Sequence, residues 1–81
     1  MTRTTGEKLK QYEEIGRRIR LLRERADLSQ EELGKRIGLH SASAVCYIEQ
    51  GARHLKVIDL IEIAKALRVS VDALLRGERI R

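Results

Sequence analysis

Apolar residues in the first third of the chain recur at the three- and four-residue spacing of one helix face. They are Ile15, Ile19, Leu22 and Ala26. We expect this helix to begin near Glu7, with Thr4 and Glu7 in the positions of a capping box. Charged side chains occupy its other faces, and apart from Arg23 we expect them to face solvent. These are Arg17, Arg18, Arg20, Arg23, Glu24 and Arg25.

Two shorter helices follow, each with its own start and stop signals. Ser29 and Glu32 form a second capping box, and Gly38 ends the helix that they begin. Ser41 is the expected cap of a third helix, which ends at Gly51. The inward-facing residues of the two helices are Leu33 and Ile37, then Val45 and Ile48.

The last third of the chain predicts two more helices. The inward stripe of the fourth is Val57, Leu60, Ile61, Ala64 and Leu67. Ser70 caps a fifth helix, which contains Val71, Leu74 and Leu75 and ends at Gly77. With no strand pattern, this is an all-α fold of five helices. We expect one domain over residues 1–81, with a core at 7–77 and frayed ends at 1–6 and 78–81.

Composition narrows the function without deciding it. Seventeen Lys and Arg against 12 Asp and Glu give a net charge of +5, which favours an anionic partner. One cysteine cannot form an internal disulfide, and no apolar run reaches the roughly twenty residues that span a bilayer. Residues 1–14 contain no signal region, so we expect a cytoplasmic protein.

The chemistry of a catalytic or metal site is missing from the pattern. His40 and His54 lie on separate turns and, with Cys46, do not match a metal-binding spacing. There is no Gly-rich phosphate loop and no nucleophile–base pair. We therefore expect neither a cofactor nor a metal, no small-molecule ligand, and no enzyme activity.

The most informative segment is residues 28–51, LSQEELGKRIGLHSASAVCYIEQG. Gln30 opens the second helix, where free backbone N–H groups favour a DNA phosphate. Gly34 lies where the second helix must approach the third closely, and Gly38 allows a left-handed turn between them. If the inward residues fix the two helices, the outer face of the third is free to enter a major groove.

Over residues 15–77 the chain resembles the Cro/repressor-type helix-turn-helix family of small bacterial regulators. The segments that carry the likeness are IGRRIRLLRERADLSQEEL, IEQG and IEIAKALRVSVDALLRG, in that order. The resemblance implies a repressor-like domain whose helix-turn-helix is formed by the second and third helices. It also implies an ion pair between Arg23 and Glu49 that braces the first helix against the third.

The resemblance assigns DNA contacts to particular side chains. The exposed, base-reading positions of the recognition helix are Ala42, Ser43, Cys46, Tyr47 and Gln50. The phosphate-binding positions are Gln30, Ser41, Arg53 and Lys56. Oxidation of Cys46 would interfere with DNA binding, but a redox-active thiol needs a basic neighbour and none lies nearby in the sequence, so we interpret Cys46 as a small contact residue.

The chain departs from the common family pattern in two respects. Between Gly38 and Gly51 it has one residue more, so the register of Ala42 and Ser43 is uncertain by one. Residues 41–51 also contain no Lys or Arg, so bidentate reading of guanine by arginine is not available from this helix. We expect one chain to distinguish DNA sequences only modestly, and a dimer that binds two half-sites of an operator to distinguish them more strongly.

The sequence favours a homodimeric regulator of transcription that binds double-stranded DNA. A repressor or self-regulating controller would bind an inverted repeat with half-sites about 34–36 Å apart. The expected dimer interface consists of Ile58, Ile63, Val69 and Leu74. The alternative is a protein-interaction module, such as an antitoxin, for which DNA binding is secondary.

Overall fold

The structure, a computed structural model, describes residues 3–52 and 55–77. In those ranges it contains five α-helices and no strand. They are α1 (Arg3–Arg25), α2 (Gln30–Arg36), α3 (Ala42–Gln50), α4 (Val57–Leu67) and α5 (Val71–Arg76). The predicted all-α fold of five helices is therefore confirmed.

Helix α1 is longer at its start than the sequence predicts. It begins at Arg3 instead of near Glu7, so the predicted capping positions Thr4 and Glu7 both lie within the helix. The glycine at position 6 costs about 1 kcal/mol in a helix interior, which is too little to end a helix of 23 residues. At the other end, Ala26 lies beyond the helix and is exposed, so its predicted place on the inward stripe is wrong.

Side-chain caps fix the starts of α2 and α3 as predicted. The Ser29 hydroxyl accepts a hydrogen bond from the Glu32 backbone N–H at 3.0 Å, and the Glu32 carboxylate accepts one from the Ser29 N–H at 2.8 Å. These bonds, led by the one from the Ser29 backbone, hold the pKa of Glu32 below its ordinary value. The Ser41 hydroxyl likewise accepts from the Ala44 N–H at 3.2 Å. Both helices therefore begin at well-defined residues.

A single aliphatic core joins the helices. Its fully buried large side chains are Ile19, Leu33, Val45, Ile48, Ile63 and Leu74. Burying each such side chain contributes roughly 1.5–3 kcal/mol before the entropy of ordering is counted. The core contains residues of every helix, so it sets the relative positions of α1, α2 and α3.

The core-facing side of α4 differs from the predicted stripe. Leu60, Ala64 and Leu67 pack inward as expected, but Ile63 joins them with no exposed surface. Val57 is 73% exposed and Ile61 36% exposed, so placing these two inward is wrong. Apolar residues cover more than half of the circumference of this helix, and periodicity alone cannot decide which of them the rest of the fold buries.

Candidate nucleic-acid interface

The connection between α2 and α3 brings the two helices into close contact. A Cβ added at Gly34 would lie 2.9 Å from the carbonyl oxygen of Ser41, so only glycine fits this approach. The backbone N–H groups of Leu39 and His40 both donate to the Gly34 carbonyl, at 2.9 and 3.1 Å. Gly38 and His40 have positive φ angles of 81° and 53°. The turn is thus closed by two left-handed residues and a shared acceptor.

A buried ion pair holds α3 against α1. The Arg23 Nε donates to the Glu49 carboxylate at 2.6 Å, and its Nη2 donates to the other carboxylate oxygen at 3.3 Å. Arg23 Nη1 also donates to the Leu28 carbonyl at 2.7 Å, which ties the end of α1 to the turn before α2. The hydrogen bond to Glu49 raises the pKa of Arg23 above its ordinary value. The predicted pair is confirmed, with bidentate geometry.

Gln30 extends this pair to the start of α2. Its amide nitrogen donates to the Glu49 carboxylate at 3.0 Å. Because a carboxylate only accepts hydrogen bonds, this contact fixes which end of the Gln30 amide faces inward. One amide hydrogen and the amide oxygen remain for other partners. Sequence patterns did not predict the contact, since the two residues lie 19 positions apart.

The outer face of α3 is open to solvent. Ala42, Ser43, Tyr47 and Gln50 are exposed, Tyr47 by 54% of its surface. Cys46 is half-buried, and its sulfur accepts a hydrogen bond from the Gln50 amide nitrogen at 3.3 Å. The predicted orientation of this face is therefore confirmed, with Cys46 less exposed than expected. The face has no Lys or Arg.

An open cleft of about 480 Å³ separates this face from the start of α2. Its walls include Gln30 on one side and Cys46 and Gln50 on the other, and the buried Arg23–Glu49 pair forms part of its base. The cleft is polar, and it lies beside the helix that the sequence assigns to base recognition.

The predicted phosphate-binding residues differ in their surroundings. Lys56 is exposed at the start of α4, where its backbone N–H donates to the Asp59 carboxylate at 3.4 Å. The Ser41 hydroxyl already caps α3, so a phosphate would have to share it. Gln30 has one amide hydrogen left after its bond to Glu49. Arg53 lies outside the described residues.

The structure corrects most of the predicted dimer interface. Ile63 and Leu74 have no exposed surface, because both lie in the core. Val69 is half-buried and packs against the same core. Of the predicted four, only Ile58 is well exposed, at 57%. Among the described residues, the exposed large apolar side chains are Val57, Ile58 and Ile61 on α4, Leu75 on α5, Leu21 on α1 and Tyr47 on α3.

Neither metal-binding nor membrane-spanning features occur in the described part of the chain. No three His, Cys, Asp or Glu side chains there are grouped so that they could hold a metal ion. No described helix is both long enough and apolar enough to cross a bilayer.

A family model for a helix-turn-helix domain matches residues 14–76, which includes α2, the turn, α3 and most of the helices that support them. The chain belongs to the helix-turn-helix family. Domains of this kind bind DNA and are typical of transcriptional regulators rather than enzymes. Comparisons with curated proteins and with solved structures give no match.

A close backbone contact between α1 and α3 involves Gly16 on α1. A Cβ at this buried position would lie 2.5 Å from the carbonyl oxygen of Glu49 and also overlap that of Ile48. Gly16 is therefore a point at which α1 closely approaches the backbone of α3. This contact and the Arg23–Glu49 pair together set the position of α3 relative to α1.

Proposed function

We propose that the protein is a homodimeric transcriptional regulator that binds an inverted-repeat DNA operator, with α3 of each protomer in the major groove. One observation carries this proposal. The inner side of α3 is fixed by the buried Arg23–Glu49 pair, while Ala42, Ser43, Tyr47 and Gln50 on its outer side are exposed to solvent. A helix held in this way can enter a groove of double-stranded DNA without reorganisation of the domain.

The base-reading residues in this proposal are Ala42, Ser43, Cys46, Tyr47 and Gln50. Hydrogen bonds from Ser43, Tyr47 and Gln50 and methyl contact from Ala42 read the base edges. The half-buried Cys46 contributes by contact alone. Because these side chains are neutral, affinity for a single half-site is modest, and sequence-dependent DNA deformability adds to the discrimination.

Phosphate contacts from Gln30, Ser41, Arg53 and Lys56 orient the domain on the duplex. The remaining hydrogen of the Gln30 amide is directed by the bond to Glu49, which reduces the entropy lost when it binds a phosphate oxygen. Lys56 supplies a flexible positive charge at the start of α4. These contacts are independent of sequence and make binding dependent on salt concentration.

A second copy of the chain covers the exposed apolar surface formed by Val57, Ile58, Ile61 and Leu75. Isolated apolar side chains are common on protein surfaces, but three of these four lie on one face of α4. A two-fold dimer through this surface presents two copies of α3 to successive major grooves. An operator that overlaps a promoter would then be occupied by the dimer, so that the regulator represses transcription.

Site selection from random double-stranded DNA, followed by footprinting and a count of chains per site, tests the proposal. We expect an inverted repeat with half-site centres about one helical turn apart and two chains bound. Ile58→Asp should reduce binding to the full site and leave binding to a single half-site unchanged. A Gln11→Asp variant, with the same charge change at an exposed position of α1, is the control. A selected site without symmetry, bound by one chain, would contradict the dimer.

A further inference from the structure

One exposed arginine of α1, Arg20, lies on the side of that helix that faces α3. Gly16 comes four residues before it and Arg23 three residues after it, and these two approach the backbone and the carboxylate of Glu49. Residues at this spacing share one face of a helix. Arg20 also lines the cleft between α3 and the start of α2. The packing of α1 against α3 therefore places the Arg20 side chain beside the recognition helix.

The arginines on α1 differ in what already binds their guanidinium groups. Arg23 is buried and bonded to Glu49. Arg18 donates to two backbone carbonyls of α5 and its side chain is only 24% exposed, so its predicted place on a solvated face is wrong. Arg20 instead bonds to Glu24 at 3.2 Å, and these two side chains are 64% and 52% exposed. A pair this exposed contributes little, so Arg20 can exchange Glu24 for another anion at small cost.

Arg20 also gives the cleft its net charge. Among the described residues that line the cleft, the other charged groups are Arg23 and Glu49, which neutralise each other. The remaining lining residues are neutral: Ser29, Gln30, Cys46 and Gln50. Residues 41–51 contain no Lys or Arg, so this single positive charge lies beside a neutral reading surface. The arrangement favours an anion held at the edge of α3.

The dimensions of DNA place a backbone phosphate at this edge. An α-helix with its side chains is about 10–12 Å wide, and the major groove is about 12 Å wide. A helix that enters the groove therefore fills it, and the protein surface next to the helix meets the sugar–phosphate strand that borders the groove. The cleft is such a surface, since it separates α3 from the start of α2.

We propose that Arg20 binds a backbone phosphate of the operator, exchanging its exposed pair with Glu24 for a charge-assisted hydrogen bond across the cleft. This inference rests on the proposed function, in particular on the entry of α3 into the major groove. The contact is independent of DNA sequence. It supplies from α1 the cation that α3 does not have, and it adds α1 to the helices that orient the domain on the duplex.

Two substitutions act on this pair in opposite directions. Arg20→Gln removes the cation, while Glu24→Gln removes its competitor and frees the guanidinium. The matched controls are Arg76→Gln and Asp72→Asn on α5. Arg76 and Asp72 form a pair of similar length and exposure, 3.1 Å with side chains 69% and 50% exposed, and neither lines the cleft. Each control makes the same change of charge as the variant that it matches.

Fluorescence anisotropy over a range of salt concentrations gives the affinities, with the shortest selected duplex that binds one chain. We expect Arg20→Gln to weaken binding about tenfold and to reduce the slope of log affinity against log salt concentration by about one. Glu24→Gln should strengthen binding about two- to threefold. The controls should change affinity less than about twofold, because exposed charges that do not contact the duplex are screened by salt.

A methylphosphonate scan, in which one phosphate of the duplex at a time is made neutral, distinguishes a direct contact from general attraction. At one position the neutral group should weaken wild-type binding about tenfold and Arg20→Gln binding little, since the variant no longer uses that phosphate. If every position affects the two proteins equally, or if Arg20→Gln loses no more affinity than Arg76→Gln, the role of Arg20 is overturned.

Failure of this inference is distinguishable from failure of the proposed function. If the wild-type chain prefers the selected duplex to a shuffled one while Arg20→Gln behaves like its control, Arg20 is outside the interface and the function stands. If the wild-type chain does not distinguish the two duplexes, the proposed function and the role of Arg20 both fail. If Arg20→Gln weakens binding to the selected duplex but not to shuffled DNA, Arg20 reads a base instead of a phosphate, and the inference is wrong.

Discussion

Removing Arg23 should destabilise the domain by far more than removing an exposed arginine of the same helix. The Arg23 side chain is 10% exposed and that of Glu49 only 4% exposed. Arg23→Met leaves the Glu49 carboxylate buried with Gln30 as its remaining partner. It also leaves the Leu28 carbonyl without its 2.7 Å donor. A buried charge that loses its counter-charge is costly, because hydration recovers only part of the lost interaction.

The size of the effect follows from the geometry. Breaking a buried ion pair by removing one partner costs about 3–5 kcal/mol. The open cleft beside Arg23 and Glu49 admits some water, so we take the lower end, about 3 kcal/mol. For a domain of this size, each 1 kcal/mol lowers the melting temperature by about 4–8 °C. The expected decrease is therefore roughly 12–24 °C, a large part of the stability of a small domain.

Arg20→Met is the matched control. Arg20 also lies on α1 and also pairs with a glutamate, at 3.2 Å from Glu24, but these two side chains are 64% and 52% exposed. An exposed pair of this kind contributes at most about 0.5 kcal/mol. The assay is urea unfolding at pH 7 followed by circular dichroism, supported by thermal unfolding. The two variants make the same substitution on the same helix and differ in whether the arginine that is removed is buried or exposed.

A double-mutant cycle separates the ion pair from simple loss of packing. Because replacing both charges with apolar groups removes the unpaired carboxylate, Arg23→Met with Glu49→Met should be more stable than the sum of the single effects by at least about 1.5 kcal/mol. Additive single effects, or an Arg23→Met variant no less stable than Arg20→Met, would refute the claim that this pair braces α1 against α3.

Three further predictions concern recognition, acid stability and helix contact. Tyr47→Ala should weaken binding to the selected operator about tenfold or more and weaken binding to random DNA little; equal losses would mean that Tyr47 does not read bases. Lys56→Gln should weaken binding to both DNAs and reduce the slope of log affinity against log salt concentration by about one. The hydrogen bond from the Ser29 backbone lowers the pKa of Glu32 in the folded state. Ionised Glu32 therefore stabilises the fold fully above its unfolded-state pKa, and this stabilisation is lost as the pH falls through its folded-state pKa. Glu32→Gln should therefore flatten the decrease of stability on acidification, and an unchanged pH profile would contradict this. Gly16→Ala should cost about 1–3 kcal/mol despite the better helix propensity of alanine, and a stabilised variant would show that α1 and α3 are not in tight contact here.

The parts of the fold that the sequence predicted well depend on local chemistry. The Ser29 and Glu32 capping box, the Ser41 and Ser70 caps and the glycine at 51 each act within a few residues. Their effects do not require knowledge of distant contacts. The Arg23–Glu49 pair spans 26 residues and was predictable only through resemblance to a family.

The features that were missed depend on tertiary packing. The apolar spacing of α4 predicts Val57 and Ile61 inward, but several faces of this helix fit the same period and only packing against the rest of the fold selects one. The same ambiguity placed Ile63 and Leu74 in a dimer interface. The bonds from Gln30 to Glu49 and from Arg18 to α5 join residues 19 and more than 50 positions apart, and no local pattern marks them.

Sequence reading by the neutral outer face of α3 can be measured by fluorescence anisotropy, with the selected duplex and a shuffled duplex of the same composition at two salt concentrations, each in excess random DNA. We expect the selected duplex to stay bound by two chains at the higher salt while the shuffled duplex is released. Equal binding to both duplexes that disappears together as salt rises would contradict sequence reading by α3, and would leave only electrostatic attraction of a basic protein to DNA.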